Sequence, residues 1–382
     1  MVRRTFPELI TNEIVGVQPM SGPVGLVFAL RYKYLGEPLG GTRADNGYGD
    51  TYGASNTPQG WWGASNGQEV GYQYLDTRFT GASAAALSGA PGTFDFTDQD
   101  KGVAQLLSEF EITSRIPQME VTIEKTAVEA GTRRLGARWS IELEQDLRNM
   151  NGIDIDSELT NAMSYEIQAE IDREMIMRMI QVALNAGANQ GYSFWSPASA
   201  DGRWIGERNR DFYAKIIVEA NRIAIRNRRG AANFLVATPR VCAILEMLPD
   251  FQYMSVTGNV STQPVGIAKV GTVGGRFNIY RDTRTEASYT GLYAQGYRST
   301  AIEYCLLGYK GPEYYDTGII YAPYIPVMVQ RTIGPNDFAP RVGLMTRYGV
   351  VDHIFGANLY YHVIIVNNLG EAFTPGQQSV YL

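Results

Sequence analysis

The chain has 382 residues, 45% of them apolar and 19% charged, which suits two or three packing units and is too apolar for a disordered chain. Thirty-three Lys and Arg against 39 Asp and Glu give a formal net charge of −6, which argues against a broadly basic nucleic-acid binder. No apolar run approaches the ~18–20 residues of a membrane helix, and Met1-Val2-Arg3-Arg4-Thr5-Phe6-Pro7 lacks the apolar core of a secretory signal.

In chain order, residues 13–34 read as an extended arm. Pro19, Gly22 and Pro23 forbid a helix across its middle, and Leu26–Tyr32 is rich in strand formers that predict pairing. Residues 36–95 differ in kind. Thirteen of these 60 residues are glycine, none is lysine, and the aromatics Tyr48, Tyr52, Trp61, Trp62, Tyr72, Tyr74, Phe79 and Phe94 are scattered among them. A flexible linker would lack the aromatics and a compact core would carry more aliphatics. The composition predicts a long excursion ordered by contact, with Arg43 and the first six of those aromatics as candidate contacts to a neighbouring molecule; a disordered linker is the competing reading. Tyr52-Gly53-Ala54-Ser55-Asn56 recurs as Trp62-Gly63-Ala64-Ser65-Asn66, which two similar tight turns explain.

Residues 110–125 partly alternate and predict strands with one face covered, returning to pair with Leu26–Tyr32 as a two-stranded arm. Trp139–Leu143 reads as strand or helix start. Asp154 then caps a helix to about Leu184, with Asp156 and Glu158 in its first turn and apolar residues recurring from Ile155 to Ala183. Thirty-odd residues span roughly 45–50 Å, a strut longer than a small domain is wide. A coiled-coil seam competes, but strict a/d spacing fails. Glu174 precedes Arg178 by four residues, the favoured ion-pair orientation.

A second unit follows. A helix from Phe212 ends in Arg226, Arg228, Arg229 and Gly230, cations and then a glycine stop. Phe234–Ala237 is a buried strand; Thr238 caps a helix with Pro239 at its first position; strands follow near Phe277–Tyr280 and Ile302–Leu307. From Ile319 the chain is strand-dominated, with Pro323 and Pro326 marking an edge or bulged strand.

No chemical constellation emerges. Gly63-Ala64-Ser65-Asn66-Gly67 matches a nucleophile elbow, but no helical period follows it and it is one copy of the turn repeat. Gly47–Gly53 misses the dinucleotide fingerprint by one residue, there is no phosphate loop, and Asp154-Ile155-Asp156 is better explained as a helix cap than as a metal loop. Glu142, Glu144 and Asp146 read as a solvated or interface face. His353 and His362 cannot make a multi-histidine zinc site and read as packing residues. Cys242 and Cys305 cannot make a disulfide framework and read as half-buried thiols in a reducing compartment. No catalytic, cofactor-binding or metal residue is expected, and no enzyme. What stands out is 41 glycines, 24 tyrosines and 27 arginines to 6 lysines, a composition for protein–protein contacts unless codon bias explains it.

Several stretches resemble one family. Glu13-Ile14-Val15-Gly16-Val17-Gln18-Pro19-Met20-Ser21-Gly22-Pro23 with Val27–Arg31 is similar to the mature start of the major capsid proteins of T-even-like tailed bacteriophages. Similar blocks are Ala137–Leu147 with Ile153-Asp154 and Glu158-Leu159, then Glu166-Ile167 and Glu170–Glu174, then Gly308–Pro312 with Asp316–Tyr324, and Thr346-Arg347-Tyr348-Gly349. They lie in order over about residues 13–350. The resemblance implies an α+β fold of the Hong Kong 97 type: an N-terminal arm (1–30), an extended loop holding the glycine-rich excursion (31–128), a peripheral domain with a long spine helix (129–204), an axial domain (205–318), and C-terminal strands (319–382) returning to the peripheral domain. It implies a self-assembling shell subunit, in hexamers and pentamers of an icosahedral virion capsid around double-stranded DNA bound without sequence specificity. Assembly would take place in the host bacterial cytoplasm, with vertex, decoration, scaffold and portal proteins as further partners and neither cofactor nor membrane. The excursion is shorter than the inserted domain of T-even-like members, and the resemblance starts almost at Met1, where they carry a cleaved segment; this chain either lacks that leader or has had it removed. Without lysine in 36–95, no lysine cross-link from that loop is expected. A pentameric vertex paralogue, a protein nanocompartment of the same fold and a Ser65 hydrolase are the alternatives.

Overall fold

The computed structural model describes residues 10–35, 82–83, 102–103, 118–186, 191–197, 204–253, 267–282, 303–313, 315–336, 338–354 and 356–366. The chain divides into two compact units, Met1–Val27 with Thr126–Leu382, and Phe28–Lys125.

The first unit opens with a single helical turn, α1 (Thr11–Ile14), and β1 (Gly16–Val17). Ile14 and Val15 are fully buried, so the arm begins as part of the core. β2 (Val24–Leu35) leads into the second unit, where β3 (Ala82–Ser83) pairs with β4 (Gly102–Val103). β5 (Gln118–Glu129) returns beside β2 as a two-stranded sheet, the arm expected from the alternation; residues 110–117 of that expectation lie outside the described residues.

β6 (Gly131–Arg138) follows with only Ala130 between. Its sequence, with two glycines and three arginines, carries no alternating signal. It forms because eight consecutive residues ladder with β14 (Pro340–Asp352), so backbone pairing supplies what side-chain burial does not. Trp139–Leu143 resolves as a helix start: the Ser140 side chain accepts from Leu143 N, α2 runs Ile141–Asn151, and Gly152 closes it at φ 63°.

α3 (Ile155–Asn185) is the long strut. Asp154 caps it by accepting from Asp156 N at 3.3 Å, as its sequence predicted. Its core stripe holds Met163, Ile167, Ile171, Met175, Ile176, Met179, Ile180 and Ala183, the last five at most 1% exposed. At 1.5 Å per residue it is about 46 Å long.

β7 (Tyr192–Trp195) precedes α4 (Ile205–Asn227), which starts seven residues before the expected Phe212. The left-handed stop is Arg228 at φ 56°, not Gly230. The Asn227 side chain makes this turn, accepting from Arg229 N (2.9 Å) and Gly230 N (3.2 Å). Gly230 is required for another reason: a Cβ there would stand 2.6 Å from the Tyr309 ring.

β8 (Phe234–Ala237) is wholly buried, and α5 (Pro239–Glu246) follows Thr238 with proline at its first position. β9 (Phe251–Tyr253), β10 (Ala268–Val273), β11 (Phe277–Arg281) and β12 (Glu303–Gly308) complete this stretch. β13 (Ile319–Ile333) and β14 form a long hairpin, its register shifting between Pro323 and Ile325 and again before Met328, where the prolines predicted bulging. A 3₁₀ turn (Ala357–Leu359) leads to β15 (Tyr361–Val366).

Two sheets result, one four-stranded in the order β1-β13-β14-β6 and one seven-stranded in the order β7-β15-β12-β8-β11-β10-β9. α3 packs with residues of both in one apolar core; a second core joins α4 and α5 to the seven-stranded sheet. The C-terminal strands part company: the hairpin belongs to the four-stranded sheet, and β15 to the seven-stranded one.

Candidate inter-subunit surface

Within the second unit, the ribbon of β2 and β5 has its polarity inverted. Arg31 and Lys33 lie 3.5 and 2.9 Å from the Glu124 carboxylate, and the hydrogen bond from Lys33 above all holds that carboxyl below its ordinary range. These half-buried residues mark one face of the ribbon. Alternation places Phe28 and Tyr32 of β2 with Met119, Val121 and Ile123 of β5 on the other face, and all five are exposed, Ile123 to 69%. The pattern predicted a covered face; in a single chain the apolar face is the open one. Soluble antiparallel sheets turn apolar residues inward, so a strand pair that turns them outward is a contact surface awaiting a cover.

The first unit instead satisfies its polar groups internally. From one stretch of α3, side chains reach outward in several directions. Asp172, 3% exposed, accepts from Ile10 N, Thr11 N and Thr11 Oγ1 and so fastens the amino-terminal turn. Burial raises its carboxyl to about 6, against those hydrogen bonds. Arg173 pairs with the fully buried Asp282, which also accepts from Tyr304 Oη. Glu174 accepts from Arg133 and Tyr348, Glu170 pairs with Arg133 at 2.7 Å, and Arg178 pairs with Asp352 at 2.9 Å. The expected Glu174–Arg178 pair gives way to these contacts, in which strand residues Arg133, Tyr348 and Asp352 supply the partners. Glu13 accepts from Tyr280 Oη, and Lys310 Nζ donates to Asn12 O, adding two anchors for the same amino-terminal turn.

One buried group imitates a catalytic site. His362 Nε2 lies 3.1 Å from Ser193 Oγ and 3.4 Å from Glu219 Oε2. A hydrolytic relay needs hydroxyl and carboxylate on opposite ring nitrogens; here both meet the same one, and all three residues are at most 5% exposed. The cluster joins β15, β7 and α4, a packing role as expected for His362. Burial and the Arg229 charge push His353 down to about 4. Cys242 and Cys305 are buried and not half-buried, since Cys305 lies on β12 inside the seven-stranded sheet and Cys242 on the core side of α5, and burial pushes the Cys242 thiol up to about 12. Glu142 and Asp146 are exposed, while Glu144 accepts from Trp139 Nε1 at 3.1 Å. Among the described residues no group of three or more His, Cys, Asp or Glu is placed to hold a metal ion, and no helix is long and apolar enough to cross a membrane.

The candidate contacts Arg43, Tyr48, Tyr52, Trp61, Trp62, Tyr72 and Tyr74, together with Ser65 and the turn repeat, lie outside the described residues. What sequence reasoning missed is the ribbon's outward apolar face. Its signal was present in Met119, Val121 and Ile123, and only the assumption that an apolar face is covered from within concealed it.

The profile of the family described as Major capsid protein Gp23 matches residues 1–379. The chain is 31% identical to the major capsid protein of Vibrio phage KVP40, covering 92% of this chain and 74% of that one. It is equally 31% identical to the major capsid protein of Enterobacteria phage T4, covering 92% and 73%. Among solved structures it is similar to the capsid of Myoviridae Phage XM1, with a TM-score of 0.49 at 9% identity over 96% of this chain and 94% of that one. The α+β fold, with its long helix, two-stranded ribbon and two sheets, is the Hong Kong 97-type fold expected of that family. The chain belongs to the Gp23 family of major capsid proteins, structural subunits of the virion shell of tailed phages that associate with copies of themselves.

Proposed function

We propose that the ribbon is the arm by which one subunit overlaps the next in the shell, its apolar face covered by a neighbouring copy. The observation that carries this reading is the inverted patterning of β2 and β5, with paired charges on the half-covered face and Phe28, Tyr32, Met119, Val121 and Ile123 on the open one. In this reading the glycine-rich excursion beyond the ribbon adds Arg43, Tyr48, Tyr52, Trp61, Trp62, Tyr72 and Tyr74 to the same contact. The chain then divides into an N-terminal arm, an extended loop, a peripheral domain built on α3, an axial domain around α4 and α5, and the returning C-terminal strands.

Subunits of this kind would form hexamers and pentamers of an icosahedral shell, assembled in the host bacterial cytoplasm. Vertex, decoration, scaffold and portal proteins would be partners, and double-stranded DNA would be enclosed without sequence recognition, consistent with the net charge of −6. The role is structural and non-enzymatic. Family membership lends no support to the Ser65 hydrolase, which is dropped. Copy number per particle separates a major capsid subunit from a vertex paralogue, and DNA instead of protein cargo separates a phage shell from a nanocompartment.

The test is assembly of the full chain followed by electron microscopy. Closed particles are expected from the wild type, and few or none from the Trp61→Ala, Trp62→Ala double variant. Unimpaired particles from that variant would remove the two indoles from the contact.

A further inference from the structure

The outward face of the four-stranded sheet contains a feature the ribbon does not explain. Registry places Gly136 of β6 directly opposite Gly343 of β14, and Gly343 opposite Gln330 of β13. A Cβ at Gly136 or Gly343 would meet nothing nearer than backbone oxygens of the same sheet at 3.7 and 4.0 Å. The two glycines therefore floor a shallow trough. Period-two alternation puts Arg134 and Arg138 on this face, one on either side of the glycine row, opposite Met345 and Arg341 of β14, and both are exposed. Arg133 and Ala137 point the other way, Arg133 to Glu170 and Glu174 of α3 and Ala137 onto the core. β6 is also the edge of its sheet, a position natural proteins guard with charge.

α2 has the complementary character. It is eleven residues long and none of them is buried. Leu147 packs against the core of its own chain and Glu144 accepts from Trp139 Nε1, while the rest of the helix surface is exposed. Leu143 and Met150 fall on one side of it, Met150 81% exposed, and the exposed carboxylates Glu142 and Asp146 border that side. One chain thus presents a basic trough without side chains on its floor and, separately, an apolar stripe bordered by acid.

We propose that the trough of one subunit receives α2 of a second copy, with Leu143 and Met150 over Gly136 and Gly343, and Glu142 and Asp146 against Arg134 and Arg138. Charge complementarity selects the occupant: an acidic amphipathic helix fits a basic trough, and this chain carries that helix exposed. The contact joins two different patches, so it is heterologous and propagates from copy to copy until a ring or shell closes. The proposal rests on the shell reading above and assigns it a second contact, distinct from the ribbon.

The experiment is assembly of the full-length chain, scored by light scattering and negative-stain microscopy, with circular dichroism melting as the folding control. The variants are Gly343→Leu, which fills the trough; Arg134→Glu with Arg138→Glu; Glu142→Arg with Asp146→Arg; and the four charge changes together. Gly343→Leu and each charge pair are expected to melt like the wild type and to give at least tenfold fewer closed particles, and the fourfold variant to recover most of them. Normal assembly of folded Gly343→Leu, or no recovery in the folded fourfold variant, overturns the proposal while wild-type particles keep the shell reading intact. No particles from the wild type overturns the shell reading and this contact with it.

Discussion

The ribbon and the long helix resolve their polar and apolar residues in opposite ways. α3 buries an apolar stripe and directs its charges inward to fixed partners: Asp172 to the amino-terminal turn, Arg173 to Asp282, Glu174 to Arg133 and Tyr348. The ribbon pairs Arg31 and Lys33 with Glu124 on one face and leaves Phe28, Tyr32, Met119, Val121 and Ile123 in water on the other. The first arrangement completes a body within one chain. The second leaves apolar area in solvent whose burial by another surface would contribute roughly 25 cal/mol per Å² covered. In the reading proposed above a shell subunit combines the two, a body held by its internal pairs and a limb whose open face a neighbour covers.

The contrast is sharpest where a charge is most deeply committed. Arg173→Met removes one charged partner of the fully buried Asp282, and a loss of up to about 3–5 kcal/mol is expected in urea unfolding of the unassembled subunit. A loss under about 1 kcal/mol would mean that the body is not held by its internal pairs.

Asp172 offers a test with a sign. Burial raises its carboxyl from the ordinary 3.8 to about 6, so the folded chain holds this proton more tightly than the unfolded one. Its contribution to stability is fully present below pH 3.8 and is lost as pH rises through about 6, about 3 kcal/mol in all. Asp172→Asn removes this dependence. Stability of the wild type relative to that variant is expected to fall between pH 4 and pH 6.5, measured by denaturant unfolding at each pH. A rise across the same window would show the three hydrogen bonds from Ile10 and Thr11 outweighing burial.

In the ribbon the expected effect on the subunit is smallest. Phe28→Ser with Ile123→Ser changes the stability of the unassembled chain by no more than about 0.5 kcal/mol per site, because both side chains are exposed there. Particle yield is expected to drop severalfold. A destabilised subunit with normal particles would reverse the contrast between limb and body.

Elements whose signals are local were legible in advance. Asp154 capping a helix, Pro239 at the start of α5, the uninterrupted apolar run Phe234–Ala237 and the bulging prolines of β13 depend on a few neighbouring residues, and each stands where its chemistry puts it; Thr238 holds the cap position of α5, but its side chain makes no capping hydrogen bond. β6 was not legible, because Gly131–Arg138 is a strand only by virtue of β14, two hundred residues on. The stop of α4 misled for a related reason: Gly230 looked like a left-handed cap, but Tyr309 dictates its lack of a side chain, and Asn227 lets Arg228 take the turn. The candidate contacts rested on composition between residues 36 and 95, whereas the contact surface that geometry displays is the ribbon leading to them.

The sequence by itself determined many of the parts: the long strut from its Asp154 cap, the buried strand Phe234–Ala237, the helix opened by Pro239 and the bulged strand of Pro323 and Pro326. These follow from backbone and side-chain preferences acting over a few residues. Only the tertiary structure decided which apolar face is buried and which is left open, which of several possible charges Glu174 and Arg178 would choose, and that Gly136 and Gly343 would meet across a sheet. Those outcomes depend on residues brought together from far apart, and alternation alone cannot say on which side the rest of the protein lies.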